Sequence, residues 1–507
     1  MENTTTTSTS TDNDVVVRRL YARGKWKLDS VAHFGSHETG VADMCLLQDA
    51  NGKPFIPGAS VAGAARSFLA RKCLIWTQYK EGLATEPREL KDFFGGADKE
   101  DTMSPLIVSD AACVSEKVNR TIRDGVSINI KSGTAKTGAK YDVEVAERGT
   151  EFELCLVCII RSGDDIDGIK DGATKPNLED MFSALLRAFQ DGDIRLGART
   201  RRGYGRGKVE SWEIRDLQMD NQEDVMAWLR DDPWSQPNSD LEPEPLQTDQ
   251  RCYFRIEADF ELRSSLLIRS VSGEPEDPDM VHLQSDGKPV IPGTSFAGAF
   301  RQRATLIANT IGFPEKAVEK MFGFVHKKNS NNSQEPTSQA SRVLIEERLV
   351  KNVEMRWQHR VAIDRFTGGS LQSALFDEKP VYPLSLKEPE PNIRLRLALE
   401  ESEKAEIGLL LLTLRDFWYG HTAIGGETSN GRGTLQGIKA QLKYKYSDSP
   451  VPKVWRLSHD NDNKRMTIES DDDGFLQSCV TDAQNYSNRP SGSRRPKKNG
   501  GEDSDAE

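Results

Sequence analysis

Asp43 and Asp279 stand in matching surroundings, VADMCLLQ and DPDMVHLQ, each followed by Met, two further residues, Leu and Gln. A carboxylate with an ordinary pKa of about 4 is a weak base at neutral pH. Such a residue is better suited to orienting a hydroxyl or a water, or to holding a cation, than to abstracting a proton. Asp277 lies close enough to Asp279 to be a rival in the second segment. Downstream of each aspartate comes a longer match, Gly52 to Arg66 (GKPFIPGASVAGAAR) and Gly287 to Arg301 (GKPVIPGTSFAGAFR), aligned without a gap. The chain is therefore a duplicated unit. Ser60 and Ser295 occupy the place of a helix N-cap, among Gly58, Ala59, Ala62 and Gly63 in one copy and Gly293, Thr294, Ala297 and Gly298 in the other. Small residues at a helix start leave backbone N–H groups open to an anion, aided by the helix dipole. The same residues also permit close helix-on-sheet packing.

Two glycine-rich loops follow far downstream, LGARTRRGYGRGK (Leu196 to Lys208) and IGGETSNGRG (Ile424 to Gly433). Neither has the Ser or Thr, the spacing or the following helix of a nucleotide-binding loop. Arg199, Arg201, Arg202, Arg206 and Lys208 instead make a flexible cationic arm suited to a nucleic-acid backbone, or else a solvated charged hairpin. Copy two keeps only Arg432, so its loop should bind more weakly. Cys155 and Cys158 resemble half a zinc site but lack a second pair, and three residues apart on a strand they project to opposite faces, which makes them core. His33 and His37 flank Gly35 without a positioned nucleophile. Copy two has no counterpart to His33, since Ser264 to Val271 reads SSLLIRSV.

Taken together, I-P-G-x-S before a small-rich helix and Arg, an upstream Asp and a downstream glycine loop resemble the repeat-associated mysterious protein (RAMP) superfamily. More narrowly, the chain is similar to the backbone RNase subunits of type III CRISPR-Cas effectors, here two in one polypeptide. The resemblance covers nearly all of residues 14 to 440. It implies an endoribonuclease that binds crRNA along both copies and cuts complementary target RNA at regularly spaced sites, with Asp43 and Asp279 as the required aspartates. RNA would cut itself through 2′-OH attack once a nucleotide is splayed in line. The hairpins from Lys131 to Lys140 and from Phe366 to Leu375 would be thumbs that displace a base pair.

Further RNA contacts implied are His33, Ser60, Arg66, Ser295, Arg301, the loop residues Arg199, Arg201, Arg202, Arg206, Lys208 and Arg432, and Lys131, Lys136, Lys140 and Arg365 on the hairpins. Mg2+ or another divalent cation is the candidate cofactor, although no dedicated metal cage is visible. Partners would be crRNA, target RNA and the neighbouring backbone, large and small subunits. Where relatives commonly carry Lys after the Ser, this chain has Ala62 and Ala297. Two alternatives remain: a scaffold that holds guide RNA while another subunit cuts, and a crRNA-processing endonuclease, usually centred on a histidine.

The elements that must position these residues read as an α+β fold. Each copy shows strand, helix, strand, then strand, helix, strand, the ferredoxin-like pattern that also underlies RNA-recognition domains, with thumb hairpins inserted. The first strands are Val15 to Trp26 and Cys252 to Leu262, and Val126 to Asp142 answers Val361 to Asp377 without a gap. The 507 residues divide into a tail (1–13), a first domain (14–230), an acidic Pro-containing linker (231–250), a second domain (251–447), a poorly patterned extension (448–485) and a second tail (486–507). The polar insertion HKKNSNNSQEPTSQAS in copy two reads as disordered. The net charge of -11 looks wrong for an RNA binder, but the linker alone holds six carboxylates and no Lys or Arg. Local patches decide that question. Seven scattered cysteines fit reduced thiols, and no apolar run suits a membrane or a signal peptide, so a cytoplasmic protein without membrane contact is expected.

Overall fold

The computed structural model describes residues 15–35, 42–72, 88–96, 103–129, 133–162, 164, 169–170, 173–174, 176–246, 251–271, 277–325, 338–385, 390–446, 451–460, 465–468 and 474–486. Period-two alternation places Leu20, Ala22, Trp26 and Leu28 on the buried face of β1 (Val16–Leu28). There follow α1 (Gly58–Lys72), β2 (Leu106–Val108), a hairpin of β3 (Arg120–Ile128) and β4 (Ala135–Ala146), β5 (Glu151–Arg161), α2 (Leu178–Asp191) and β6 (Gly207–Gln218). The antiparallel sheet runs β6-β1-β5-β2. Both helices bury apolar residues with it: Val61, Ala65, Phe68 and Leu69 from α1, and Met181, Phe182, Leu185 and Phe189 from α2. Asn177 caps α2 by accepting from the Asp180 N–H at 2.7 Å.

The second domain repeats this order with β7 (Tyr253–Leu262), β8 (Met280–His282), α3 (Gly293–Ile311), β9 (Val343–Ile345), a hairpin of β10 (Gln358–Ile363) and β11 (Ser370–Lys379), β12 (Ile393–Glu400), α4 (Lys404–Trp418) and β13 (Leu435–Lys445). Its sheet runs β9-β12-β7-β13 and continues into β14 (Lys453–Asp460) and β15 (Arg465–Ile468). A separate core holds Phe254, Phe260, Phe296, Phe300 and Trp418, with Phe300 and Phe417 stacked at 4.6 Å.

One expectation is corrected, and two segments without a pattern of their own prove to be packed. Ser60 is not the N-cap: α1 begins at Gly58, after Pro57, and the first helical N–H is taken by the Asp110 carboxylate at 2.7 Å. A negative charge is thus already supplied to that helix start by the protein itself. The acidic linker packs on the first domain. Trp234 packs edge-on to Tyr21 under the guanidiniums of Arg23 and Arg215, Ser239 N–H donates to the Ile214 carbonyl, and Leu241 and Leu246 lie against the first core. The C-terminal extension joins the second core. Trp455, Leu457, Leu476, Cys479 and Ala483 belong to the second core, and α5 (Phe475–Gln484) packs on α4 where Gly408 leaves room for the Cys479 carbonyl.

His37, Lys131, both outermost tails and most of the polar insertion (326–337) lie outside the described residues. Among the described residues no helix is long and apolar enough to cross a membrane.

Candidate nucleic-acid interface

The two aspartates occupy the same place in the two domains. Asp43 is exposed, and its Oδ2 accepts the Asp142 N–H at 2.9 Å; Asp279 is exposed, and its Oδ2 accepts the Asp377 N–H at 3.3 Å. The neighbouring residue is bridged in parallel to the base of the hairpin each time, Met44 to Val143 and Met280 to Glu378. Each carboxylate is therefore pinned by backbone at the root of a hairpin. The rival Asp277 is held by Lys379 at 3.3 Å.

Around Asp43 stand Lys140, 3.2 Å from Asp124, and Asp142, whose carboxyl is raised by a hydrogen bond to Asp124. Around Asp279 the corresponding positions are Leu375, His359 and Asp377, and His359 Nδ1 lies 2.7 Å from Asp377 Oδ1. Among the described residues no group of three or more His, Cys, Asp or Glu side chains is placed to hold a metal ion.

The hairpins are longer than their sequence pattern suggested, and the expected stretches are their distal parts. They expose apolar side chains: Ile122, Val126 and Ile128 on β3, then Val361, Ile363, Leu371, Leu375 and a 100 % exposed Phe366 at the tip of the second. Lys136, Lys140 and Arg365 are exposed on the same hairpins.

The glycine loop of the first domain is not a free arm. A Cβ on Gly203 would come within 2.4 Å of the Glu347 nitrogen, and one on Gly293 within 2.3 Å of the Arg202 carbonyl, so the loop docks backbone to backbone on the start of α3. Ion pairs fix it there. Arg195 and Arg206 meet Glu346 at 2.9 and 3.0 Å, and Arg201 meets Glu400 at 2.6 Å. Burial pushes the Glu346 and Glu400 carboxyls up, and their arginines more than reverse it. Arg202 is exposed, Lys208 is half-buried at the start of β6, and Arg199 lies 4.6 Å over the Tyr141 ring, beside Met44. The loop thus brings Arg199 to the Asp43 site while Arg201 and Arg206 join the domains.

Arg432 is corrected more sharply. The bridges Arg195 to Arg206 and Ala423 to Thr434 align the loops, so Arg432 answers Tyr204, and Glu427 answers Arg199. Arg432 is 4 % exposed and bound to Glu378, Glu427 and Gln358 at 3.0, 2.9 and 2.6 Å. It is an internal strut.

His33, Ser60 and Arg201 do come together, lining a cleft of about 540 Å³ with Ser67, Arg71 and Arg251. Arg71 and Arg201 converge on the single carboxylate Glu400, which leaves the cleft cationic. The His33 Nδ1–H donates to the Glu144 carbonyl at 2.7 Å, and burial pushes its imidazole down, so the ring is neutral. Arg66 lies 5.9 Å over Phe94, and Ser295 and Arg301 are half-buried near the covered start of α3.

Sequence reasoning missed Arg123. It is 4 % exposed on β3, bound to Glu347 of the second domain and 3.8 Å from Glu147, which also accepts from Ser285. Nothing local marks it, because its partner lies more than two hundred residues away. The thiol of Cys158 is buried and pushed up to about 12, as suits a core residue.

A family model described as the RAMP superfamily matches residues 32–209 and, again, 259–436. No curated protein matches the chain.

Proposed function

The chain belongs to the RAMP superfamily, whose domains are CRISPR-associated RNA-binding modules, and from that premise we propose that it is a fused double backbone subunit of a type III effector. It holds guide RNA along both domains and cuts complementary target RNA at Asp43 and at Asp279. The observation that carries this reading is the repeated geometry: an exposed carboxylate, fixed by a backbone N–H, at the root of a protruding hairpin in each domain. The strand order β6-β1-β5-β2, repeated as β13-β7-β12-β9, supports reading each domain as ferredoxin-like.

Chemically, the hairpins act as wedges. Their exposed apolar residues have no core to cover and suit contact with unstacked bases, which frees a nucleotide to adopt the in-line geometry that 2′-OH attack requires. The aspartate then orients the 2′-OH or a water. A divalent cation would be held there by RNA phosphates with one or two carboxylates, and it would supply charge neutralisation. The cationic cleft with His33 and Ser60, together with Arg199 and Arg202, suits the guide backbone, so sequence is read by base pairing and the protein reads shape.

The test is the RNA that travels with the protein. Intact assemblies are expected to carry a discrete guide-length RNA that crosslinks to the cleft and to both hairpins. Assemblies without such RNA would overturn the reading.

A further inference from the structure

We propose that His359 is the proton-transfer group of the second cleavage site. The inference rests on the reading of Asp279 as a cleavage residue. The β10–β11 register sets His359 directly opposite Asp377. The His359 Nδ1–H donates to Asp377 Oδ1 at 2.7 Å, and the Asp377 backbone N–H donates to Asp279 Oδ2 at 3.3 Å. One residue thus ties the imidazole to the aspartate, and the carboxylate on Nδ1 selects the tautomer whose Nε2 is the basic nitrogen. The ring is 71 % exposed, and its Nε2 has no hydrogen bond among the described residues.

The other charged groups facing this corner already have partners: Asp277 with Lys379, and Arg360 with Glu378 and Glu427. The Trp357 ring, 6.0 Å from the imidazole, completes the surroundings. In the first domain Asp124 takes the place of His359 opposite Asp142, with Lys140 beside it. The two sites therefore hold different proton chemistry behind the same aspartate: a carboxyl pair with a lysine in one, a carboxylate-oriented imidazole in the other.

In the proposed step Nε2 takes the 2′-OH proton as the 2′-oxygen bonds to phosphorus. The bond from phosphorus to the 5′-oxygen breaks with its electron pair on that oxygen, which is protonated by water, and the imidazolium returns its proton to solvent. The products are a 2′,3′-cyclic phosphate and a 5′-OH.

The experiment uses the assembled ribonucleoprotein with an end-labelled complementary target, following each cut separately between about pH 5 and 9. The cut assigned to the second domain should show a pH profile different from that of the first. His359→Gln should slow the second cut on the order of a hundredfold or more and flatten its profile, with added imidazole restoring part of the rate and the first cut unchanged. If His359→Gln leaves rate and profile intact while Asp279→Ala abolishes the cut, the inference is overturned and the proposed function stands. If Asp279→Ala itself leaves the second cut, both fall.

Discussion

His33 and His282 exchange places between the domains. The hydrogen bonds of the Ala198 N–H to His33 and of the Gly426 N–H to Leu267 align His33 with Leu267, and those of the Leu47 and Leu283 N–H groups align Leu46 with His282. Each domain so buries one imidazole in the same loop pair, from opposite members. His282 is fully buried, donating from Nε2 to the Val290 carbonyl and accepting at Nδ1 from the Ile268 N–H, and burial lowers its pKa to about 4. The unfolded chain therefore takes up this proton first on acidification. The stability His282 contributes is present above about pH 6.5 and is lost as pH falls toward 4, a change of about 3 kcal/mol. Urea unfolding at pH 7, 5.5 and 4 should show that slope, and His282→Gln should flatten it; an unchanged slope would remove the assignment. That Asp43 and Asp279 take equivalent places was legible, because duplication pairs them. The swapped histidines were not, because they match only in space.

Among elements, the glycine loop shows what composition conceals. Five cations within thirteen residues suggest an RNA arm, yet Glu346 and Glu400, which hold Arg206 and Arg201, lie far along the chain, and a run of charge does not show what it will meet. The helix start misled for a related reason: the carboxylate that meets Gly58 comes from Asp110, not from a local cap. Removing one partner of a buried pair leaves an unpaired charge, which costs about 3–5 kcal/mol. Arg123→Ala should weaken domain docking by about that amount, whereas Gln358→Ala, its counterpart in the second domain, removes a hydrogen bond to Arg432 within that domain, costing about 1.5–3 kcal/mol, and should leave docking intact. Denaturant midpoints and limited proteolysis of the domain joint would register the contrast, and equal effects would contradict the role given to Arg123. Gly408→Ala should loosen α5 from α4, because a Cβ there would lie 2.1 Å from the Cys479 carbonyl; such overpacking costs about 1–3 kcal/mol. Hydrogen exchange confined to α5 would report it.

At the scale of the molecule, the two-domain division follows from the repeat itself, and strand and helix order could be read from hydrophobic periodicity. The linker and the C-terminal extension could not, since Trp234, Leu241, Trp455 and Leu476 acquire meaning only against surfaces formed elsewhere. The joint makes one body of two similar domains and fixes two hairpin roots within it. Mapping cleavage of a complementary target by the assembled ribonucleoprotein tests this account most directly. Loop carboxylates contribute little to packing, so Asp43→Ala and Asp279→Ala should each assemble normally and each erase one of two cuts. The double variant should bind target without cutting at either position, and a 2′-deoxy nucleotide at one scissile position should remove that cut alone. A double variant that still yields both products, with the cleaving residues of neighbouring subunits inactivated, would contradict the account and leave a guide-holding scaffold in its place.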